Sequence, residues 1–109
     1  MNVKITKVSA SQQAGNLRVE VHLKNELAEQ TNAILEAVLR GQKPTLPVFV
    51  RQVGVKLEPQ AELTKVIYDL KIDRRFPPGE YIVHVGFADR TGEGSAAEAT
   101  FQVETPGIL

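Results

Sequence analysis

Apolar and polar residues alternate with a period of two over four stretches of the chain, which is the pattern of half-buried β-strands. The inward-facing positions that this alternation predicts are Leu17, Val19, Val21 and Leu23; Thr64, Val66, Tyr68, Leu70 and Ile72; Tyr81, Val83, Val85 and Phe87; and Ala97, Ala99, Phe101 and Val103. Val3 and Ile5 predict a shorter strand near the start of the chain.

The segment from 44 to 57 predicts an edge strand. Pro44 and Pro47 favour an edge because proline cannot donate a hydrogen bond to a neighbouring strand, and Lys56 is a further guard against pairing. One inward-facing row is obtained only if a β-bulge interrupts the strand near Gln52. That row is Val48, Val50, Val53, Val55 and Leu57.

The stretch 25–41 supports two interpretations. Its apolar residues lie at helical spacing, with Asn25 as a cap at the start and Gly41 at the end of an amphipathic helix. The segment 33–40 also fits a central strand that is apolar on both faces. Because the surrounding pattern is β, we predict a strand from about 33 to 40.

Seven short strands without a long helix between them predict an all-β fold, a seven-stranded antiparallel immunoglobulin-like β-sandwich. The segment 89–95 contains Gly92 and Gly94 and predicts a hairpin turn between the last two strands. We expect one domain over 1–104 and a linker or frayed tail over 105–109, where Pro106 and Gly107 follow the last strand.

Composition and charge exclude several classes of function. The 109 residues include no cysteine, so disulfides, thiolate metal sites and cysteine nucleophiles are absent. The formal net charge is +0, which disfavours a broad surface for nucleic acid or an anionic membrane. The first residues lack the apolar segment of a signal peptide, and no apolar run approaches the ~20 residues of a membrane-spanning helix.

The segment Phe76-Pro77-Pro78-Gly79-Glu80-Tyr81 and the alternation that follows it resemble the corner before strand F in fibronectin type III and related immunoglobulin-like domains. In those domains a tyrosine hydroxyl bonds back to nearby backbone. The resemblance implies a structural corner formed by Pro78, Gly79 and Tyr81.

The passage Leu23-Lys24-Asn25-Glu26 and the segment 32–39 resemble the step from strand B to strand C in bacterial cell-adhesion-related (CARDB-type) domains. The chain has no tryptophan where fibronectin type III domains carry one on strand B, and it has no Arg-Gly-Asp motif. The resemblance therefore implies a fold and no particular adhesion activity.

No set of residues predicts catalysis, a metal or a cofactor. His22 and His84 fall on the polar sides of strands that belong to opposite sheets of such a sandwich, so they cannot share a metal ion. The acidic residues Asp89, Glu93 and Glu98 lack the spacing of a calcium loop, and we interpret the turn that carries the first two as a solvated hairpin tip. The basic residues before Phe76, namely Lys71, Arg74 and Arg75, are interleaved with Asp69 and Asp73 and predict a solvated turn.

Four large apolar residues stand on the nominally polar side of their strands, namely Ile34, Phe49, Ile67 and Ile82. If several of them meet on one sheet, they form a surface for an adjoining domain, another protein or weak self-association.

We therefore expect a non-enzymatic immunoglobulin-like structural or interaction module of a larger prokaryotic extracellular or cell-surface protein; a cytoplasmic location stays open. One alternative is a carbohydrate-binding accessory module of a glycoside hydrolase, for which Phe49 and Phe76 are the remaining aromatic candidates. The other is a free-standing small inhibitor or assembly subunit.

Overall fold

A computed structural model of the chain describes residues 3–44, 46, 48–89, 91–92 and 94–104. Over these residues the chain forms seven antiparallel strands and no helix, which confirms the predicted all-β class. The strands are β1 (Val3–Gln13), β2 (Asn16–Asn25), β3 (Thr31–Gly41), β4 (Val48–Leu57), β5 (Glu62–Lys71), β6 (Gly79–Phe87) and β7 (Ala97–Val103).

The strands form two sheets, of order β1-β2-β5 and β4-β3-β6-β7. This is an immunoglobulin-like sandwich in which the fourth strand joins the sheet of β3 rather than that of β5. Strand β4 is therefore an edge strand, as the prolines that precede it predicted. No helix in the described part of the chain is long and apolar enough to span a membrane.

Alternate residues of both sheets meet in one core. The inward row of β2, Leu17 to Leu23, is almost completely buried, and so are Tyr81, Val83 and Val85 of β6. These rows agree with the period-two pattern, because each strand has one face against the opposite sheet.

The ambiguous stretch 25–41 contains β3, so the strand interpretation is correct and the helical alternative is wrong. β3 lies between β4 and β6 and pairs with both. This pairing satisfies its backbone on both sides and overrides the helical spacing of its apolar residues. Asn25 ends β2 and caps no helix.

The inward-facing residues predicted for β5 are correct only in the part of the strand that follows a β-bulge at Ile67. The register shifts between Val19 and Glu20, so that Ile67 has no counterpart on β2 and follows Tyr68 into the core. The prediction that Ile67 is exposed is therefore wrong, since only 1% of it is accessible. Before the bulge the predicted phase is inverted, and Thr64 is exposed.

The bulge predicted near Gln52 is absent. β4 pairs with β3 without interruption from Leu57 to Val48, and Phe49, Val53, Val55 and Leu57 turn toward the core. The predicted inward positions of Val48 and Val50 are thus wrong; both point outward. Pro47 lies outside the described residues.

β1 is longer than the predicted short strand. It extends to Gln13, contains a bulge after Ile5, and joins β2 through the two-residue turn Ala14-Gly15. Both turn residues have positive φ, 52° and 80°, as in a type I′ hairpin. The connection between β6 and β7 is the predicted hairpin, whereas the predicted tail at 105–109 lies outside the described residues.

Candidate interaction surface

Four aliphatic side chains share the outer face of the four-stranded sheet. Val48 of β4 and Ile82 of β6 lie on either side of Arg40, and Val50 pairs directly with Val38. These register positions place them on two adjacent rows across three strands. We call Val38, Val48, Val50 and Ile82 the outer apolar patch.

The outer apolar patch is open to solvent chiefly at the β4 edge. Val48 and Val50 each expose 62% of their surface, while Val38 and Ile82 are half-buried. Ile34, with 43% exposed, lies farther along the same face. All the large exposed hydrophobic residues in the described part of the chain are therefore on this one face.

Polar residues surround the patch. Arg40 lies between Val48 and Ile82, His84 and Glu98 continue the row of Val50 and Val38 toward β7, and Gln52 donates to a carboxylate oxygen of Glu36 at 3.1 Å. An apolar centre with a polar rim is the usual arrangement of a protein contact surface.

The outer face of the other sheet is hydrophilic. Arg18 Nε lies 2.9 Å from Glu20 Oε1 along β2, and Lys4 of β1 reaches Glu26 at 3.3 Å. The two sheets thus present different surfaces, and the large exposed hydrophobic residues of the described part of the chain lie on the four-stranded sheet.

The structure brings together some of the predicted surface residues and separates others. Ile82 and Ile34 lie on the outer face, as their phase predicted. Phe49 instead turns inward and stacks on Phe76, with ring centroids 4.9 Å apart. Ile67 is in the core, so neither it nor Phe49 contributes to the patch.

Sequence reasoning missed Val48 and Val50 as surface residues. The alternation of Val53, Val55 and Leu57 could have identified them. Continued toward the start of the strand without a bulge, this alternation places Phe49 inward and its two neighbours outward. Because residues 48–50 are all apolar, their own sequence does not show which of them face the core.

The predicted corner before β6 is present. Tyr81 is fully buried, and its hydroxyl donates to the carbonyl oxygen of Pro77 at 2.7 Å. Burial raises the pKa of the Tyr81 phenol above its usual value. Gly79 has φ 152°, and a side chain there would press on Leu46. The corner fixes the start of β6 and with it the position of Ile82.

A second buried tyrosine crosses between the sheets. The Tyr68 hydroxyl on β5 lies 3.1 Å from Ala37 O and 3.2 Å from Phe49 O, which belong to β3 and β4. Burial raises the pKa of Tyr68, and the nearby positive charge of Arg51 partly opposes this. The contact holds β4 against the sandwich at the edge that carries Val48 and Val50.

Asp89 has a structural role in the loop between β6 and β7. One carboxylate oxygen accepts from Ile34 N at 3.0 Å and the other from Thr91 N at 3.1 Å. Both oxygens therefore bind backbone amides. Among the described residues no group of three or more histidine or acidic side chains converges on a point, and Glu93 lies outside those residues.

The other polar candidates are dispersed. His22 and His84 lie in opposite sheets, as predicted. Asp73 Oδ1 accepts from the backbone N of Arg75 at 2.9 Å and from its side-chain Nε at 3.0 Å. The backbone hydrogen bond, followed by the side-chain one, lowers the pKa of Asp73. This corner is a turn in which Asp73 pairs with Arg75, and its aromatic residue, Phe76, is buried.

No family model and no curated protein matches the sequence. Solved structures do match. A GH3 β-glucosidase from Bifidobacterium adolescentis aligns over 94% of this chain with TM-score 0.68 and 16% identity, and a β-glucosidase from Kluyveromyces marxianus over 94% with TM-score 0.69 and 18% identity. The alkylpurine DNA glycosylase AlkC from Pseudomonas fluorescens aligns over 95% with TM-score 0.69 and 17% identity.

These likenesses show the fold of the chain, an immunoglobulin-like β-sandwich. The aligned part covers only 17%, 14% and 31% of the three solved chains, respectively. The chain thus spans less than a third of the length of each.

Proposed function

We propose that the chain is a non-enzymatic accessory module of a larger protein and that it works by protein contact. One observation carries the proposal: the fold aligns over nearly all of this chain and occupies only a small share of each much longer similar chain. A module of this kind needs a contact surface, and the outer apolar patch supplies one.

The absence of an enzymatic role is part of the same proposal. Its support is that the polar groups with defined partners serve the fold: Asp89 binds one amide of β3 and one of its own loop, Asp73 holds a turn, and the two buried tyrosines bind carbonyls. A catalytic site requires several converging groups that are free to meet a substrate.

The reading frame that encodes the chain, together with hydroxyl-radical labelling of side chains, tests the proposal. We expect further domains in frame, and we expect the side chains of Val38 and Ile82 to be labelled less in the whole protein than in the isolated module. A frame limited to these 109 residues would contradict the proposal and favour a free-standing inhibitor or assembly subunit.

Carbohydrate binding is the second candidate, because several similar structures are β-glucosidases. Against it, none of the six aromatic side chains, all of which the structure describes, is exposed. Phe76, one of the two candidates from the sequence, is 3% accessible. Sugar-binding surfaces commonly rely on exposed aromatic rings, so we expect no signal on a glycan array or in a pull-down on insoluble polysaccharide; robust binding would make this the preferred function.

An extracellular or cell-surface location, as in the cell-adhesion-related domains that the step from β2 to β3 resembles, belongs to the same proposal. Fractionation of the source cells tests it: recovery in the cytoplasmic fraction alone would contradict this location and leave the accessory role intact.

A further inference from the structure

β4 forms one edge of the four-stranded sheet, at the end opposite to β7. At the opposite end of the same sheet, β7 is bordered by β1: Gln12 donates to Gln102 O at 2.7 Å, and Ile5 N donates to the nearby Ser95 hydroxyl at 2.8 Å. Among the described residues, β4 is the last strand on its own side. Its backbone ends the ladder of the four-stranded sheet there.

The ladder shows which backbone groups of β4 are free. Gln42 N donates to Glu80 O and Ala88 N to Ile34 O, each at 2.8 Å, so the even-numbered residues of β3 direct their backbone groups toward β6. The odd-numbered residues of β3 consequently bond to β4, where their partners are also odd-numbered. It follows that the N–H and C=O groups of residues 48, 50, 52, 54 and 56 point away from the sheet.

The same even-numbered residues carry the exposed side chains of β4. Val48 and Val50, each 62% exposed, stand on the outer face at the positions where the backbone is free to pair. An edge with free hydrogen-bonding groups and exposed β-branched residues is a template for another strand. A strand added there would extend the sheet and cover both valines.

We propose that β4 pairs antiparallel with β4 of a second copy of this chain, with Val50 opposite Val50 of the second copy. In this register Val48 lies opposite Gln52 and Arg51 opposite Phe49, where the guanidinium can approach the ring. A shift by one residue per strand toward Leu57 would instead place Arg51 opposite Arg51, with like charges adjacent, and the reverse shift would leave only residues 48–50 of each strand paired. A shift by two would place Val50 opposite Gly54, which has no side chain to cover it.

The size of the contact sets its strength. About five residues of each strand pair in this register, and the resulting contact is far smaller than the roughly 1,200–2,000 Å² of a stable interface. The net charge of +0 adds no long-range repulsion. The expected dimer is therefore weak, with a dissociation constant on the order of 0.1–1 mM, in the transient class of interfaces.

Sedimentation velocity and amide hydrogen exchange test the pairing on the unmodified chain. We expect a monomer at about 10 μM and a rising sedimentation coefficient toward about 1 mM, in keeping with a transient interface. The amides of Val50 and Gln52 should exchange about two-fold more slowly at the higher concentration, because exchange there requires the free edge. The amides of Arg51 and Val53, which already bond to β3, should not change.

Two matched variants distinguish association through the β4 edge from association through the outer face of the sheet. Val50→Lys should abolish the concentration dependence, since it places two lysines opposite each other. Ile34→Lys changes an exposed residue of the same face on β3 and should leave the dimer unchanged. A strictly monomeric profile at about 1 mM would overturn the proposal, and so would equal loss of association in both variants or slower exchange at Arg51 rather than at Val50. None of these outcomes bears on the accessory role, which does not depend on self-association.

Discussion

At the residue scale, Asn25 joins two separate turns. Its side-chain nitrogen lies 3.0 Å from Glu29 O, 3.0 Å from Glu58 O and 3.4 Å from Leu57 O, and its side-chain oxygen accepts from Leu27 N at 3.0 Å. The residue is completely buried. A single side chain thus satisfies backbone groups of the β2–β3 turn and of the β4–β5 turn, and both turns depend on its amide.

We expect Asn25→Asp to destabilise the fold strongly. The carboxylate has the same shape, but it would place a charge against carbonyl oxygens that now receive an N–H, so the free energy of unfolding should fall by about 3 kcal/mol or more at neutral pH. The loss should shrink at acidic pH, where the carboxyl group is protonated and can donate once. Urea denaturation measures this. The exposed Asn32→Asp serves as the control and should change stability little; equal effects of the two variants would contradict the role of Asn25.

The two buried tyrosines should differ in what their hydroxyl groups contribute. Tyr81 donates to the carbonyl of Pro77, an exposed residue that water can reach, so Tyr81→Phe should cost about 1 kcal/mol. Tyr68 bonds within the sandwich, where the carbonyl of Ala37 is buried, so Tyr68→Phe should cost about 2 kcal/mol. Denaturant midpoints of the two variants check the order. An unchanged midpoint for Tyr81→Phe would mean that the corner hydroxyl does not stabilise the fold.

The sequence revealed one of these three residues and not the others. The corner of Tyr81 is local, because the acceptor of its hydroxyl, Pro77 O, is only four residues away and the Pro-Gly turn between them is visible in the sequence. The partners of Asn25 and Tyr68 are up to 33 residues away, because they belong to strands that meet only when the sandwich closes. Single-chain patterns contain no signal for such contacts.

At the element scale, the alternation predicted which segments are strands better than which way they face. A period of two reverses all side chains after one extra residue, so the bulge opposite Val19 and Glu20 was enough to misplace Ile67. In β4 the opposite error occurred, since a bulge was inferred where the ladder is continuous. The candidate surface depended on this phase, and for that reason only Ile82 and Ile34 were placed correctly from the sequence.

In the β6–β7 connection, Gly92 packs closely against β1 and β6. Gly92 is buried, and a Cβ atom there would meet the ring of Phe87 and the carbonyl oxygen of Val3. Gly92→Ala should therefore lower the free energy of unfolding by about 1–3 kcal/mol through overpacking.

Gly54→Ala is the matched control, because nothing lies within 4 Å of the added carbon and φ is not positive there. It should be neutral or slightly stabilising in the same thermal-unfolding experiment. A tolerated Gly92→Ala would show that the connection is not pressed against β1 and β6.

At the scale of the whole molecule, the two sides of the sandwich close in different ways. Hydrogen bonds join β1 to the β7 side, from Gln12 to Gln102 O and from Ile5 N to Ser95. Near the β4 edge, Phe49 stacks on Phe76, which in turn meets Tyr81 edge-on at 5.9 Å between ring centroids. Aromatic rings close this side of the sandwich in place of hydrogen bonds between strands, and among the described residues no strand pairs with the outer edge of β4.

The buried phenols also predict how the whole molecule responds to alkaline pH. Burial raises the pKa of Tyr68 and of Tyr81 above 10.0, whereas unfolding returns both to about that value. The stability that their neutral forms contribute is therefore fully present below pH 10 and falls as the pH rises beyond it, by at most about 1.4 kcal/mol per pH unit for each tyrosine.

Urea midpoints between about pH 9 and pH 11 measure this dependence, and the tyrosinate absorbance band reports ionisation directly. The double variant Tyr68→Phe/Tyr81→Phe is the control, because it keeps every lysine and arginine that titrates in the same range. It should be less stable than the parent chain at pH 8 and yet show a flatter decline above pH 10. Parallel declines in the two proteins would mean that neither phenol is held neutral by the fold, and the alkaline loss would then belong to the basic residues alone.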